Sequence, residues 1–325
     1  IASCLVGSEM CIRDRSKGVQ LIGHHETGGN AFHYEQQLEP AMALYERLGV
    51  HSVKTGYVAD AQGARVAGPD GQMVMAWHES QAMAQHHMRV VEAGYRHEVA
   101  INAHEPFKDT GLRRTYPNII SREGQRGMEY SAWGNPGNPP EHEPNLVFTR
   151  LLAGPMDYTP GIFGMETRSP GGVQTTWAKQ LALYVVIYSP IQMAADLLVN
   201  YEANPGPFQF IKDVPVDWAE TRVLAAEMGD YVVIARKDRA SDVWALGAVT
   251  DEHPRVLSAP LDFLDAGRRY RAEIYRDGPD ADYKGKREDI VIEQREVTSG
   301  DVLTLALAPG GGQAIRFVPV GRARR

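Results

Sequence analysis

Past residue 16 the chain has no cysteine, since Cys4 and Cys11 are its only two. For everything downstream that excludes a disulfide framework and any thiolate-held zinc or iron–sulfur site. No uncharged apolar run reaches about 18 residues, so no transmembrane helix is expected. Lys and Arg never gather into a basic stripe, and the formal net charge is −7. Nucleic acid is therefore not an expected partner, and the terminal "RARR" reads as a solvated end. Internal repeats and low-complexity tracts are missing as well. What remains is 43% hydrophobic and 23% charged over 325 residues, the composition of a globular chain with one large domain or two ordinary ones.

The first sixteen residues, "IASCLVGSEMCIRDRS", carry neither a helical nor a strand period. A signal peptide would need a basic start and an uncharged cleavage region, and this stretch has neither. Residues 1–16 therefore read as a non-native artefact of translated adapter sequence. From Lys17 the pattern becomes regular. "GVQLIG" reads as a strand. A helix follows through "FHYEQQLEPAMALYERLG", with Leu38, Met42, Tyr45 and Leu48 at helical intervals and Gly49 as its stop. "VHSVKTG" is the next strand, and "VADAQGARVAGPDGQ" reads as an exposed loop. A helix is predicted over 74–93. "HEVAINAH" and "NIIS" are strands, and "QTTWAKQLALYVVIYS" is helical, then strand-like.

Strands alternating with helices predict a parallel sheet. The polar signatures "HHE", "KTG", "NAHE" and "REG" each follow a strand directly. Strand ends that converge on one face suit a (β/α)8 barrel better than a doubly wound sheet. Near residue 216 the pattern changes to short alternating runs between Gly/Asp turns, such as "DYVVIARK", "DVWALGAV" and "GQAIRFVPV". That segment predicts an antiparallel β-sandwich. The expected domains are thus 17–215, α/β, and 216–325, all-β.

The stretch 101–130 gathers Glu105, Glu123 and Glu129, and Glu26 ends the first strand signature. A carboxylate at a strand mouth can transfer protons, ligate a hard cation, or satisfy a buried arginine or backbone donors. Four on one face repel one another, which calls for protonation or a cation. With oxygen donors and no thiol, that cation is calcium or magnesium rather than zinc. "HHE" and "NAHE" lack the paired histidines of a zinc helix. His24 and His104 suit hydrogen bonds to a substrate, and His25 suits a core role. The remaining eight histidines read as surface or packing residues. Lys54 suits either a hydroxyl contact or a salt bridge.

Seven stretches in order, "HHET", "VKTGYV", "NAHEPFKDTGLRRTYPN", "EGQRGMEY", "GNPPEH", "FTRLLAGPMDYTPG" and "SPIQMAADL", resemble glycoside hydrolase family 97 over about 17–214. The resemblance implies a (β/α)8 barrel, a C-terminal β-sandwich and a calcium-using exo-acting α-glycosidase. It implies Glu129 as general acid and Glu26 and Glu105 as base residues. By the same resemblance Glu105, Glu123 and Glu129 match calcium-ligating positions, and His24, Lys54 and His104 lie near the sugar hydroxyls. Retaining members carry an aspartate nucleophile where this chain has Gly56. The reading is therefore inversion of an α-glucoside, with acid and base carboxyls roughly 6.5–9.5 Å apart.

The first recognised strand resembles the third of the family's barrel, so a partial barrel of about strands 3–8 is expected. Upstream strands and an N-terminal domain would complete it. By resemblance the location is a bacterial periplasm or cell envelope. A retaining α-galactosidase, a metal-dependent amide or phosphate hydrolase and a non-catalytic sugar-binding protein are the rival readings.

Overall fold

The computed structural model describes residues 14–59 and 63–321. Residues 1–13 of the leading stretch, with Cys4 and Cys11, lie outside the described residues. So do 60–62 of the expected loop and the "RARR" tail. The chain forms two compact units, Ile1–Gly124 and Gln125–Arg325. No helix among the described residues is long and apolar enough to cross a membrane.

In the first unit a parallel sheet holds β1 (Gly23–Glu26), β2 (Ser52–Gly56), β5 (Ala100–Ala103) and β6 (Ile119–Arg122), in the order β1-β2-β5-β6. Helix α1 (Ala31–Leu48) connects β1 to β2. Asn30 caps its start by accepting from the His33 amide at 3.1 Å, and Gly49 ends it in the left-handed conformation at φ 65°. Tyr34, Leu38, Met42 and Tyr45, spaced three or four apart, form its buried stripe.

Three features of this unit differ from the sequence reading. The apolar run "GVQLIG" is not a strand. Val19 and Ile22 are exposed, and pairing with β2 begins only at Gly23, opposite Val53. The Gly-rich loop contains β3 (Ala64–Ala67), an antiparallel partner for β4 (Met73–Ala76). Turn residues at 68–71 hid a four-residue strand whose Ala64 and Val66 are buried. Helix α2 (Gln81–Arg96) starts after β4, not at Val74, because Ser80 caps it by accepting from the Met83 amide at 3.3 Å.

The second unit contains the helices α3 (Tyr130–Trp133), α4 (His142–Phe148), α5 (Trp177–Val186), α6 (Leu198–Ala203) and α7 (Pro205–Asp213). The strand-like tail expected after α5 is extended at Ile187 but forms no ladder. Its link is a Met156 amide donating to the Tyr188 carbonyl at 2.9 Å. From Trp218 the chain is all β: β7 (Trp218–Glu227), β8 (Tyr231–Asp238), β9 (Trp244–Thr250), β10 (Arg255–Pro260), β11 (Tyr270–Asp277), β12 (Ile290–Val297), β13 (Val302–Leu307) and β14 (Gly312–Pro319). Six form one antiparallel sheet, ordered β12-β11-β14-β9-β8-β7, and β10 with β13 forms a separate ribbon.

The central strands of that six-stranded sheet are buried on both faces. Alternate residues Val233, Ala235 and Leu246 pack with Ala259, Leu303 and Leu305 of the ribbon. Their neighbours Val232, Ile234 and Ala245 pack with α5. Helix α5 is buried all round, from Ala178 to Val186. A Cβ on Gly247 would lie 2.7 Å from the Ala182 carbonyl oxygen, so the missing side chain is what lets α5 lie this close to β9.

Thr176 caps α5 by accepting from the Lys179 amide at 3.2 Å, and it donates to Asp277 Oδ1 at 2.6 Å. Asp277 Oδ2 accepts from the Ala308 and Gly312 amides at 2.8 and 2.9 Å. Burial outweighs these donors and pushes the Asp277 carboxyl up to about 6. An unfolded chain ionises it from about pH 4, whereas the fold keeps the proton to about pH 6. Stability is therefore greatest below that window and falls as pH rises through it. The loss amounts to about 3 kcal/mol at about 1.36 kcal/mol per unit. In Asp277→Asn this slope should vanish, which melting curves of both proteins between pH 4 and pH 7 would show.

Candidate active site

Parallel pairing places His24 opposite Lys54, Lys54 opposite Asn102, and Asn102 opposite Ser121. The four lie in one row across β1, β2, β5 and β6, on one face of the sheet. Two residues further along each strand, Glu26, Gly56, His104 and Glu123 form the next row on that face. The ladder continues there: the His104 amide donates to Thr55 at 2.8 Å and the Glu123 amide to Ala103 at 2.9 Å. One extra residue between Ile119 and Ser121 shifts the β5–β6 register, and with it the aim of Glu123. The opposite face packs on helices. His25 there stacks on Tyr45 at 5.0 Å and pairs with the Tyr34 hydroxyl at 2.7 Å. Burial, with His24 beside it, lowers its imidazole to about 4.

Glu26 is held at the mouth of β1 by the Gly28 amide, which donates to Oε1 at 2.9 Å. Its Oε2 occupies the volume a Cβ on Gly56 would need. Glu105 reaches across to β2, where the Tyr57 amide donates to its Oε2 at 2.7 Å. Its own amide faces Glu123 Oε2 at 3.4 Å, and His104 Nδ1 lies 3.3 Å from that same oxygen. Glu26 and Glu105 both lie near enough to Tyr57 to add to the upward shift that burial gives its hydroxyl. Of the predicted site residues, His24, Lys54, Glu26, His104 and Glu123 thus share one face of this sheet, and Glu105 stands at the same strand mouths beside Glu123.

Glu105 stands at φ 41°, a left-handed backbone uncommon for a non-glycine residue. Such a conformation costs about 1–3 kcal/mol and needs support. His87 supplies part of it, through a hydrogen bond to the Glu105 backbone. Burial holds His87 down at about 3, so the ring is neutral. His86 is also buried. Its Nδ1 donates to Glu35 Oε1 at 2.7 Å, and its Nε2 lies 2.9 Å from the Tyr57 hydroxyl. By sequence alone both histidines read as ordinary surface or packing residues. Only their place on the buried stripe of α2, with Met83 and Val90, hinted otherwise.

Glu129 belongs to the second unit, where it heads α3 and is exposed. Its Oε2 fills the space a Cβ on Gly127 would need, so the carboxylate folds back over its own turn. The turn is held at three points. Asn138 Nδ2 donates to the Gly127 carbonyl at 2.8 Å, His142 Nε2 to the Arg126 carbonyl at 2.7 Å, and the Met128 amide to the Tyr158 carbonyl at 3.3 Å. Asn138 and His142 lie in or beside the "GNPPEH" stretch, to which sequence reasoning gave no role.

Glu105 and Glu123 follow neighbouring strands and offer oxygen donors without sulfur, a donor type that suits a hard divalent cation such as calcium. Among the described residues, the tightest carboxylate–imidazole group is Asp251, Glu252 and His253 in the all-β part. Arg255 already pairs with Asp251 there.

Comparison with known proteins follows the same division of the chain. A model described as "Glycoside hydrolase 97" matches residues 9–125, and one described as "Glycosyl-hydrolase 97 C-terminal, oligomerisation" matches 217–318. The chain is 31% identical over 315 residues to a retaining alpha-galactosidase of Bacteroides thetaiotaomicron, covering 93% of this chain and 43% of that protein. It is 29% identical to a probable retaining alpha-galactosidase of Streptomyces bingchenggensis, covering 93% and 41%. A solved glycoside hydrolase family 97 enzyme from Pseudoalteromonas sp. strain K8, in complex with acarbose, superposes with a TM-score of 0.92 at 51% identity, covering 98% of this chain and 49% of that one. The chain thus spans about half the length of the relatives it matches. The two models together match more than half of its residues, and with this structural likeness the chain belongs to glycoside hydrolase family 97.

Proposed function

We propose that this chain carries the catalytic residues of an exo-acting α-glucoside hydrolase that inverts the anomeric centre. Glu26 and Glu105 act as bases toward the attacking water, and Glu129 protonates the leaving oxygen. His24, Lys54 and His104 bind sugar hydroxyls. The observation that carries the reading is the Glu26 carboxylate standing in the space beside Gly56. A retaining enzyme needs a carboxylate side chain that attacks carbon directly, whereas an inverting one needs a carboxylate set back by a water. At position 56 this chain has no side chain, and its neighbour's carboxylate takes the room instead.

Substrate class rests on the Pseudoalteromonas enzyme, whose structures hold panose and acarbose, both glucoside-like oligosaccharides. Calcium would be held by Glu105 and Glu123, with Glu129 the third residue the family resemblance assigns. The bound ion would supply fixed positive charge to a site crowded with carboxylates. Location in a bacterial periplasm or cell envelope belongs to the same proposal.

Retention is the second reading, favoured by the names of the two curated relatives. Proton NMR of the first sugar released from an aryl α-glucoside separates the two. The protein, extended to the length of its relatives, should release β-glucose. Release of α-glucose would overturn the assignment of Glu26, and α-galactose from an α-galactoside would move the chain to the second reading.

A further inference from the structure

Inside the second unit runs a line of buried polar side chains that the proposed chemistry does not use. Lys179 of α5 is fully buried, and so, to within 1%, is Glu143 of α4. The ammonium lies 3.0 Å from Glu143 Oε2, off the direction of a hydrogen bond, so that contact is Coulombic. Its hydrogen bonds go to the Thr250 carbonyl at 3.0 Å, at the end of β9, and to the Pro140 carbonyl at 2.5 Å. On the other side Glu143 Oε1 accepts from the Tyr158 hydroxyl at 2.7 Å. Burial, with Glu143 beside it, drives that hydroxyl well above the usual tyrosine range, so it stays a donor. The Tyr158 hydroxyl in turn lies 3.4 Å from Asn138 Nδ2, the group that holds the Gly127 carbonyl. The Tyr158 carbonyl accepts from Met128. Both ends of Tyr158 therefore brace the turn that carries Glu129.

A buried ion pair is weak evidence for stability, because an apolar replacement of equal volume is often neutral or better. Every link of this line but the Lys179–Glu143 ion contact is a hydrogen bond, and groups linked in this way fix one another's geometry. We infer that Lys179, Glu143, Tyr158 and Asn138 form a strut from β9 of the all-β part to the Glu129 turn, and that Tyr158 and Glu143 are positioning residues for proton delivery to the leaving group. This rests on Glu129 being the proton donor. It adds that the β-sheet domain takes part in setting where that proton is delivered.

The test uses the protein extended to the length of its relatives and two substrates. Phenyl α-glucoside needs a proton on its leaving oxygen, whereas dinitrophenyl α-glucoside departs unaided. Tyr158→Phe removes one oxygen and carries the test; Glu143→Gln leaves Lys179 buried without its counter-charge and is expected to lower the melting temperature, so melting curves are taken beside the kinetics. A displacement of the acid by about 1 Å lowers turnover by about 10- to 100-fold. Tyr158→Phe should therefore lower kcat on the phenyl substrate by about that factor, with kcat on the dinitrophenyl substrate within about twofold and both KM values unchanged. Glu143→Gln should show the same selectivity, more weakly. Glu129→Ala, assayed in saturating calcium because Glu129 is also an assigned calcium ligand, is the reference. If it lowers both substrates equally, the assignment of the acid fails. If Glu129→Ala is selective while Tyr158→Phe and Glu143→Gln are not, the strut is overturned and the acid stands.

Discussion

Glu129→Gln is expected to lower kcat on phenyl α-glucoside by about 10²–10⁴-fold, the usual share of a general acid in such a reaction. The amide keeps the size and hydrogen-bonding reach of the carboxyl but has no proton to give. Stability should hardly change, because Glu129 is exposed and makes no side-chain hydrogen bond at the start of α3. Surface substitutions of that kind usually stay within about 0.5 kcal/mol. Binding should survive as well, so calorimetric titration with acarbose should give nearly the same Kd for both proteins. Unchanged hydrolysis of the phenyl substrate would remove Glu129 as the acid. A parallel collapse of acarbose binding would make it a binding residue instead.

Local patterns in this chain were legible where one short segment decides the outcome. Gly49 stops α1 because only a glycine-like backbone turns there, and Glu105 and Glu123 stand just after β5 and β6 because each of those strands is marked by its own apolar run. Elements decided by distant contacts were not legible. β7 is mostly exposed and carries no clean apolar alternation, and it is a strand because β8 pairs with it. β10 carries Arg255 and Pro260 and has five of its six residues facing partly or wholly outward, yet it pairs with β13 along its length. The sheet of the first unit shows four ladder strands where six strands were expected in all, since an extended segment without regular pairing forms no ladder.

The site divides in the same way. His24, Lys54, Glu26, Glu105 and Glu123 are visible because they sit in or just after short strands. The groups that hold them are not. Tyr57 reaches Glu105 across 48 residues, and Lys179 meets the Thr250 carbonyl across 71. Buried polar residues such as His87 and Glu143 look like surface residues until their partners are known.

Gly56→Ala is expected to disable the base without touching it. A Cβ at position 56 overlaps Glu26 Oε2, and the overlapping atom is the far end of a flexible side chain rather than backbone. The carboxylate swings away and the fold tolerates the change, so the melting temperature should move little. If Glu26 holds the attacking water, kcat falls by about 10²-fold or more, since a base must stand within hydrogen-bond reach of the proton it takes. Glu26→Gln alone should produce a loss of about 10²–10⁴-fold. The decisive measurement is the double variant. Two changes that act through one carboxylate are not additive. Gly56→Ala in the Glu26→Gln background should therefore cost little more. Losses that multiply would mean that position 56 matters for a reason other than Glu26, such as direct contact with the sugar. An unaffected Gly56→Ala variant would place the attacking water elsewhere, leaving Glu105 as the base. The cycle thus separates the two carboxylates that the family resemblance leaves paired, and it needs nothing longer than a methyl group to do so.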